Sequence, residues 1–547
     1  MKRKYFLALT FVSLLALGAC KKSKVEPTPT PEPPVVTPPT AATRQQLTLD
    51  SLFLYAKDIY YWYDKLPTYE AFNPRQYTTL GTDKANYDKA LFEIAKYSNP
   101  GEYKATSTAP KFSYITDKTN KNPAASGSIN NQASVDTDGN GNDVGIRFGL
   151  YGSNSNYKIY VTAVYNKSPA ETAGFVRGDV IQKINGVSYG TNFPGESAAI
   201  NAALNGATIA LEGTRFDGST FNLTLTKTVF KSSHVYKSKV IDAGNKKIGY
   251  LAYARFGRLS NSASTASLAD VDLDGVFNSF TSAGVTDLVI DLRYNGGGYV
   301  YAAEYLINLI APSTATGVMF TEYYNPKMQA GNADILKNQP YLNASGGIVQ
   351  FNGRNATWDD VDFSVSGNTQ SFSKKGSLNG VKNIVFLVTG NSASASELTI
   401  NALKPHVNVK LVGQTTYGKP IGFFPIVLEN KYEVWLSSFV TKNSLGQGDY
   451  YDGLTPDVVV NTELANVTVG GVEKTNVMFD FGNPNDSFLK AALNILAPGV
   501  VVTGTLASPI ATKSINSLSA PSVAIANDYT ERKEFKGMIE NRFKLKK

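Results

Sequence analysis

Residues 390–403 read GNSASASELTINAL, in which three serines alternate with alanines before a glutamate and an apolar run. Ser394 and Glu397 have the S-x-x-E spacing of a capping box, so the stretch predicts a helix that begins near Ser394. A second interpretation is chemical, because the N–H groups at a helix N-terminus can stabilise an oxyanion beside a serine nucleophile. The stretch alone leaves both a helix cap and a nucleophile open.

Apolar runs typical of buried strands alternate with helical segments around this stretch, between about residues 240 and 460. The strand-like runs are KIGYLAYARF (247–256), TDLVIDL (286–292), KNIVFLVTG (382–390) and VKLVGQ (409–414), and the main helical segment is YVYAAEYLINLIAP (299–312). This alternation predicts an α/β sheet, and such sheets carry their sites at the carboxyl ends of the strands. RYNGGG (293–298), the serine stretch and GQTTYGKP (413–420) follow those ends. We therefore expect all three to lie at one site.

A serine hydroxyl needs a base beside it, and the chain offers only two histidines. His234 lies between predicted domains and His406 follows the predicted helix after Pro405, so the pattern does not favour a Ser-His-Asp triad. A lysine can replace histidine, because burial disfavours the ammonium form and lowers its pKa. Lys419 is the candidate base, since it follows the strand-like run VKLVGQ directly.

Three features together resemble the carboxyl-terminal processing, or tail-specific, serine proteases: SASASE, a lysine 25 residues after its middle serine, and an upstream DLRYNGGG. The resemblance covers roughly residues 50–460. It implies that Ser394 is the nucleophile and Lys419 the general base. It also implies that Gly297 and Ala395 supply the oxyanion N–H groups, and that residues 235–462 form an α/β (crotonase/ClpP-like) protease core.

The sequence also offers rival nucleophiles, and it departs from the family pattern at two positions. Ser392 and Ser396 are rival nucleophiles that only the 25-residue spacing disfavours. Family members usually carry a glutamine four residues after the lysine, where this chain has Phe423, and Thr416 is one candidate to orient the amine instead. A branch of the superfamily has a histidine where this chain has Phe112, so we expect a Ser/Lys dyad rather than a tetrad.

A second resemblance concerns the phrase SPAETAGFVRGDVIQKINGV (168–187). It predicts a short helix at 169–173 closed by Gly174, a strand at 180–184 and a hairpin turn at Asn185-Gly186. The phrase resembles PDZ domains, and VGIRFGL (144–150) resembles their carboxylate-binding strand. The resemblance implies a PDZ domain over 144–228 that binds peptide C-termini by strand addition, with Gly145 and Ile146 among its peptide-binding residues.

The first twenty residues, MKRKYFLALTFVSLLALGAC, have a basic start and an apolar stretch too short for a spanning helix. LGAC (17–20) resembles a bacterial lipobox, which implies a signal peptide over 1–20 and a lipid on Cys20, the only cysteine. A plain secretory signal is the alternative. Residues 21–44 form a proline-rich linker. We expect a lipid-anchored protein of the bacterial cell envelope, on the outer membrane or facing the periplasm.

The remaining segments give local predictions. Helices are expected at 45–67, ended by Pro67, and at 82–99, capped by Asp83, within an N-terminal helical domain over 45–125. The acidic phrases DTDGNG (136–141) and DVDLDG (270–275) lack the carboxylate that a calcium loop needs at its twelfth position, so we expect turns. Residues 463–547 form a C-terminal extension.

Composition excludes several function classes. The net charge of +8 is spread along the chain, which gives no case for nucleic acid. Two histidines and one cysteine argue against a His/Cys metal site, and no cofactor is expected. The sequence therefore predicts a serine endopeptidase that cleaves proteins or peptides near their C-termini by a Ser/Lys dyad. The alternative is a catalytically weak or inactive peptide-binding lipoprotein of the same fold. A glycan-binding surface protein, suggested by the aromatic residues, lacks a clustered site, and no signal indicates an oligomeric state.

Overall fold

The apolar runs form a central six-stranded sheet in the computed structural model of the protein. In spatial order its strands are Val235–Ala243, Lys246–Tyr253, Asp287–Asp291, Asn383–Val388, Asn408–Gly413 and Val458–Val459. The first pair is antiparallel and the other pairs are parallel. Every residue of Asp287–Asp291 is buried, as expected for a parallel strand covered on both faces. The prediction of a mixed α/β fold is confirmed.

The structure describes residues 42–98, 100–119, 135–261, 268–343, 346–469, 472–502, 524–526, 537–540 and 542–547. The predicted signal peptide, Cys20 and the proline-rich linker up to residue 41 lie outside these ranges. Within them, no helix has the length and apolar character needed to cross a membrane.

Helices cover the central sheet on both faces. Leu288 and Ile290 share one hydrophobic cluster with helix Val300–Ile310, while Val289 on the opposite face shares another with helix Ser487–Leu496. This is the period-two alternation of a strand between two layers. Across the described ranges the α-helices are Arg44–Ile59, Tyr69–Phe72, Asp83–Ala95, Pro169–Thr172, Phe193–Asn205, Val271–Ala283, Val300–Ile310, Pro326–Gln329, Ala395–Leu403 and Ser487–Leu496.

A second sheet, here called the small sheet, is built mainly from residues 146–226 and has its own hydrophobic cluster. Its strands in order are Ala524–Ala526, Ile146–Ser153, Asn156–Val164, Val180–Ile184, Thr208–Thr214 and Thr220–Thr226, with Val187–Ser188 paired to Val180–Ile184. The predicted short helix, strand and Asn185-Gly186 turn are all present. The helix Phe193–Asn205 was not predicted.

The remaining sheets have two to four strands each. The four-stranded sheet is Thr369–Ser371, Val318–Tyr324, Phe439–Asn443 and Ile421–Gly422, and the three-stranded sheet is Tyr114–Asp117, Tyr432–Trp435 and Pro425–Leu428. The two-stranded pairs are Ser260–Asn261 with Leu268–Ala269, Gly297–Tyr299 with Gly537–Ile539, Gln350–Phe351 with Arg354–Asn355, Asn140–Asp143 with Thr228–Lys231, and Leu464–Val469 with Val472–Met478.

Three local predictions were wrong. The first helix ends at Ile59 rather than at Pro67, because Tyr60 is extended and Tyr61 N donates to Ser437 O at 2.7 Å. The second helix is capped by the Thr82 side chain, which accepts from Ala85 N, and not by Asp83. The phrase at 270–275 begins a helix instead of forming a turn, since the Asp270 carboxylate accepts from the first backbone N–H groups.

Buried charges join the small-sheet region to the central sheet. Arg177 donates to Glu463 at 2.5 Å, and Arg293 donates to Asp291 at 2.6 Å and Asp486 at 3.0 Å. The side chains of both arginines are at most 1 % exposed. Glu463 also lies 3.5 Å from Arg293 and therefore stands between two buried guanidinium groups. Residues at the start of the C-terminal extension are thus part of the core.

Glu463→Ala is expected to destabilise the fold by about 3–5 kcal/mol, because it leaves two buried cations without their shared carboxylate. Urea unfolding followed by circular dichroism measures this loss. Asp334→Ala is the matched control, since Asp334 pairs with Lys337 on the exposed surface. The control should leave the unfolding midpoint nearly unchanged. Equal midpoints for the two variants would contradict the structural role of Glu463.

Candidate active site

Ser394 lies between strand Asn383–Val388 and helix Ala395–Leu403, at the carboxyl edge of the central sheet. Its backbone has φ 61° and ψ −111°, a conformation that L-residues rarely adopt. Strain of this kind costs on the order of 1–3 kcal/mol and persists only where surrounding contacts enforce it. The side chain is fully buried. The predicted nucleophile is therefore held in a strained turn at a helix N-terminus.

The three serines of the SASAS stretch have different partners. Ser392 Oγ donates to Leu292 O at 2.7 Å, and Ser396 Oγ donates to Asn295 O at 2.9 Å. Both hydroxyls thereby fasten the turn to the neighbouring glycine-rich loop. Ser394 Oγ, in contrast, is buried without a hydrogen-bond partner among the described residues. Its hydroxyl is thus not used as a helix cap, and of the three it is the one left available for chemistry.

Glu397 connects the serine turn to the lysine loop. Its buried carboxylate accepts hydrogen bonds from Ser394 N at 2.8 Å, Gly418 N at 2.7 Å and Lys419 N at 2.8 Å. The Thr416 hydroxyl donates to it as well, at 2.5 Å. Burial raises the pKa of Glu397, and these four hydrogen bonds oppose that shift. The S-x-x-E spacing predicted Glu397 only as part of a capping box, and did not predict its hydrogen bonds to the lysine loop.

Lys419 is 1 % exposed, as a candidate base should be. Burial lowers the pKa of Lys419 from its ordinary 10.5 to about 7, although the nearby carboxylates of Glu102 and Glu397 favour the charged form. A substantial fraction of the amine is therefore neutral near pH 7, which is the state that a general base requires.

The two residues that depart from the family pattern, Phe423 and Phe112, both lie near the lysine amine. Lys419 Nζ lies 4.2 Å from the centroid of the Phe423 ring and 5.6 Å from that of Phe112. The expected hydrogen bond from Lys419 to Ser394 is not formed, because Ser394 Oγ has no partner among the described residues. Thr416, the candidate to orient the amine, instead donates to Glu397 and accepts from Leu454 N.

Glu102 is a second buried carboxylate that the sequence did not single out. It accepts from Phe112 N at 3.1 Å, from the Tyr60 hydroxyl at 2.6 Å and from the Ser437 hydroxyl at 3.1 Å. Ser113 donates to it through both its backbone N–H and its hydroxyl. Glu102 therefore holds the N-terminal helical region against the core beside Lys419. No local motif indicates this role.

The predicted oxyanion residues lie beside the serine. Gly297 has φ +106°, and a Cβ on it would lie 2.9 Å from Ser394 Cβ, so no side chain fits there. Its N–H, however, donates to Asn295 Oδ1 at 2.9 Å, so it is engaged rather than open to an oxyanion. Ala395 is the first residue of its helix, where N–H groups have no intrahelical acceptor.

The other candidate residues lie elsewhere. His234 Nδ1 is 2.8 Å from Asp270, and His406 Nε2 is 3.2 Å from Ser444, so neither imidazole contacts Ser394. Ile146 begins the strand Ile146–Ser153 of the small sheet, and Gly145, with φ +81°, directly precedes this strand.

Comparison with known proteins identifies the class of this fold. A crystal structure of a candidate S41 protease from Bacteroides fragilis superposes with a TM-score of 0.50 at 21% identity, and covers 84% of this chain and 99% of that chain. Residues 247–460 match the family model of Peptidase family S41. The central sheet and its serine turn therefore have the fold of that S41 protease, and residues 247–460 resemble peptidase family S41.

Curated relatives carry names of one kind. The carboxy-terminal-processing protease of Bartonella bacilliformis is 26% identical over 310 residues, which are 56% of this chain and 60% of the relative. The carboxy-terminal processing protease CtpA of Bacillus subtilis is 25% identical over 262 residues, which are 48% of this chain and 44% of the relative. The chain thus matches about half of the length of these relatives and is related to the carboxy-terminal processing proteases.

A fluorophosphonate probe is expected to label Ser394 and not its neighbours, because Ser392 and Ser396 both donate to backbone carbonyls. Mass spectrometry of the labelled peptide identifies the modified residue. Ser394→Ala should abolish labelling, while Ser396→Ala, the matched control two residues away, should retain it. Modification at residue 392 or 396 would contradict the assignment.

Proposed function

We propose that this protein is a serine peptidase that cleaves proteins or peptides near their C-termini, with Ser394 as nucleophile and Lys419 as general base. The observation that carries the proposal is the unpartnered hydroxyl of Ser394, joined through Glu397 to the loop of a buried lysine. The match to peptidase family S41 and the names of the curated relatives support the same reaction class.

The chemistry follows from these groups. Neutral Lys419 takes the hydroxyl proton as Ser394 Oγ attacks the substrate carbonyl carbon, and the carbonyl oxygen becomes an oxyanion. Ala395 N–H stabilises this charge, joined by Gly297 N–H once it turns from Asn295. Collapse breaks the C–N bond, and the lysine ammonium returns the proton to the leaving amine. Water, deprotonated by Lys419, then hydrolyses the acyl-enzyme.

Substrate selection is assigned to the small sheet. We propose that it acts as a PDZ domain over residues 144–228, where a peptide C-terminus adds a strand beside Ile146–Ser153. Gly145 and Ile146 would then lie at the carboxylate end. The order of short helix, strand and hairpin in this region supports the assignment.

The amino-terminal segment suggests where the enzyme works. We propose that residues 1–20 are a lipoprotein signal peptide, that Cys20 carries a lipid, and that the proline-rich linker holds the enzyme away from a bacterial envelope membrane. The lipobox-like LGAC and the absence of any other cysteine from the sequence support this proposal. The protein would contact the membrane through the lipid on Cys20.

A non-catalytic peptide-binding lipoprotein is the second candidate. It is favoured by one arrangement: the Lys419 amine faces the Phe423 ring while Ser394 Oγ lacks a hydrogen bond. The kinetic variants below separate the two functions, because a binder would retain peptide affinity without serine-dependent turnover.

Ser394→Ala and Lys419→Ala are each expected to lower kcat/KM for a peptide reporter on the order of 10⁴-fold or more, since each removes the nucleophile or its base. His234→Ala and His406→Ala are the controls and should stay within about twofold. Thermal unfolding of each variant establishes that the fold is retained. A large loss in either histidine variant would rule out the dyad, and turnover that survives Ser394→Ala would rule out the nucleophile.

The activity should rise with pH through about 7, because the pKa of Lys419 is lowered to about 7 and only its neutral form accepts the serine proton. Below pH 6 the amine is protonated and kcat/KM should fall about tenfold per pH unit. A pH profile of kcat/KM measures this midpoint. Activity that rises only above pH 9 would show a lysine with an ordinary pKa.

A further inference from the structure

The end of the chain lies in the candidate active site. Strand Gly537–Ile539 pairs in parallel with Gly297–Tyr299, and Gly537 lies opposite Gly297. Gly537 N donates to Gly296 O at 3.1 Å. A Cβ on Gly297 would lie 2.7 Å from Gly537 O and 2.9 Å from Ser394 Cβ. The backbone of the C-terminal segment therefore passes directly beside the predicted nucleophile.

The same segment contacts the opposite wall of the site. Met538 is fully buried, and its carbonyl accepts from Phe423 N at 3.3 Å. Ile539 forms a parallel bridge with Phe423, the residue whose ring faces the lysine amine. The segment thus bridges the glycine-rich strand and the strand after Lys419, as an extended peptide substrate would.

Residues beyond the site fasten the segment in place. Arg542 pairs with Glu304 at 2.8 Å, and the Phe543 ring lies 4.7 Å from that of Trp358. Lys544 O accepts from Asp362 N, and Lys546 N donates to Asp360 O, both at 2.8 Å. The segment therefore has an anchor of its own outside the site.

The chain also occupies the edge of the small sheet. Ala524–Ala526 pairs antiparallel with Ile146–Ser153, at Leu150 and Tyr151. This is the edge to which a peptide would add in the proposed PDZ domain. Two separate parts of the C-terminal extension thus take the two strand positions that a substrate needs.

We propose that the C-terminal segment Gly537–Glu540 is an internal competitor of peptide substrates, so that turnover requires its release from the site. This inference rests on the proposed function. The bound state is not arranged for cleavage of the segment, because Gly297 N–H donates to Asn295 and Ser394 Oγ has no hydrogen bond. Ser394 is fully buried while the segment is bound, so under this proposal a substrate gains access as the segment leaves.

Displacing the segment should activate the enzyme. If the open form makes up only about 1% of the chains, the apparent affinity for substrate is about 100-fold weaker than the intrinsic one. Met538→Asp places a charge at the buried position while it keeps the anchor residues. It should raise kcat/KM of a peptide reporter by about 10- to 100-fold, mainly through a lower KM, whereas Met538→Leu should retain the inhibition.

Lys547→Gln is the matched charge control, because it lowers the net charge by one, as Met538→Asp does, at an exposed residue that ends the same anchor. It should leave kcat/KM unchanged. An unchanged kcat/KM for Met538→Asp in a folded, active enzyme would overturn the proposal. So would spontaneous loss of the segment from the wild-type chain, detected by intact-mass spectrometry, because the segment would then be a substrate.

A binding measurement separates this proposal from the peptidase assignment. A fluorescent peptide GMIENRFKLKK, residues 537–547, is titrated by anisotropy into Ser394→Ala and into Ser394→Ala combined with Met538→Asp. Binding at least about tenfold tighter to the double variant supports the competitor, even if the protein never turns over a reporter. Equal affinities would overturn it. Loss of serine-dependent turnover with competition intact would overturn the peptidase function alone.

Discussion

Four hydrogen bonds converge on the buried carboxylate of Glu397, and the geometry of the site depends on them. Burying a carboxylate costs several kcal/mol unless hydrogen bonds replace its water, so each donor is held firmly in place. Two of these donors are the backbone N–H groups of Ser394 and Lys419, which belong to segments that follow different strands of the central sheet. One acceptor thereby fixes Ser394 and Lys419, the proposed nucleophile and base, relative to each other. It also stabilises the positive φ of Ser394, which would otherwise relax.

Aromatic rings surround Lys419, and they affect its protonation in two opposite ways. An aromatic face attracts the ammonium form, which favours protonation. Loss of water around the amine acts in the opposite direction and is the larger effect, so the pKa falls to about 7. Phe112 and Phe423 contribute to both effects, because the rings that attract the cation also exclude solvent. The lowered pKa is the property that the proposed role of Lys419 as a general base requires.

The sequence predicted four of the six strands of the central sheet, with ends that differ by one to three residues, because continuous apolar runs bounded by turn residues are typical of buried strands. The edge strands Val235–Ala243 and Val458–Val459 were not predicted. The sequence also singled out Ser394, Lys419 and Gly297, since motif spacing survives when the surrounding sequence changes. The helix predicted to reach Pro67 failed at Tyr60, where a bond to Ser437 O redirects the chain. Glu102 was missed for the same reason: its partner Ser437 is 335 residues away. Contacts between distant segments leave no local pattern to read.

The pairing of the C-terminal strand Gly537–Ile539 could not be predicted from the sequence, because it is made by backbone groups and not by particular side chains. The partner strand Gly297–Tyr299 carries two glycines beside the site, and without Gly537–Ile539 its edge would be a template for any extended chain. A peptidase must keep such an edge to bind substrates of varied sequence through main-chain hydrogen bonds. In this protein the same edge pairs with Gly537–Ile539 of its own chain, and a flexible tether gives such a segment a millimolar effective concentration. Selectivity for a foreign peptide would then need a second contact, and the proposed PDZ edge beside Ile146–Ser153 could supply it only once Ala524–Ala526 has left that edge.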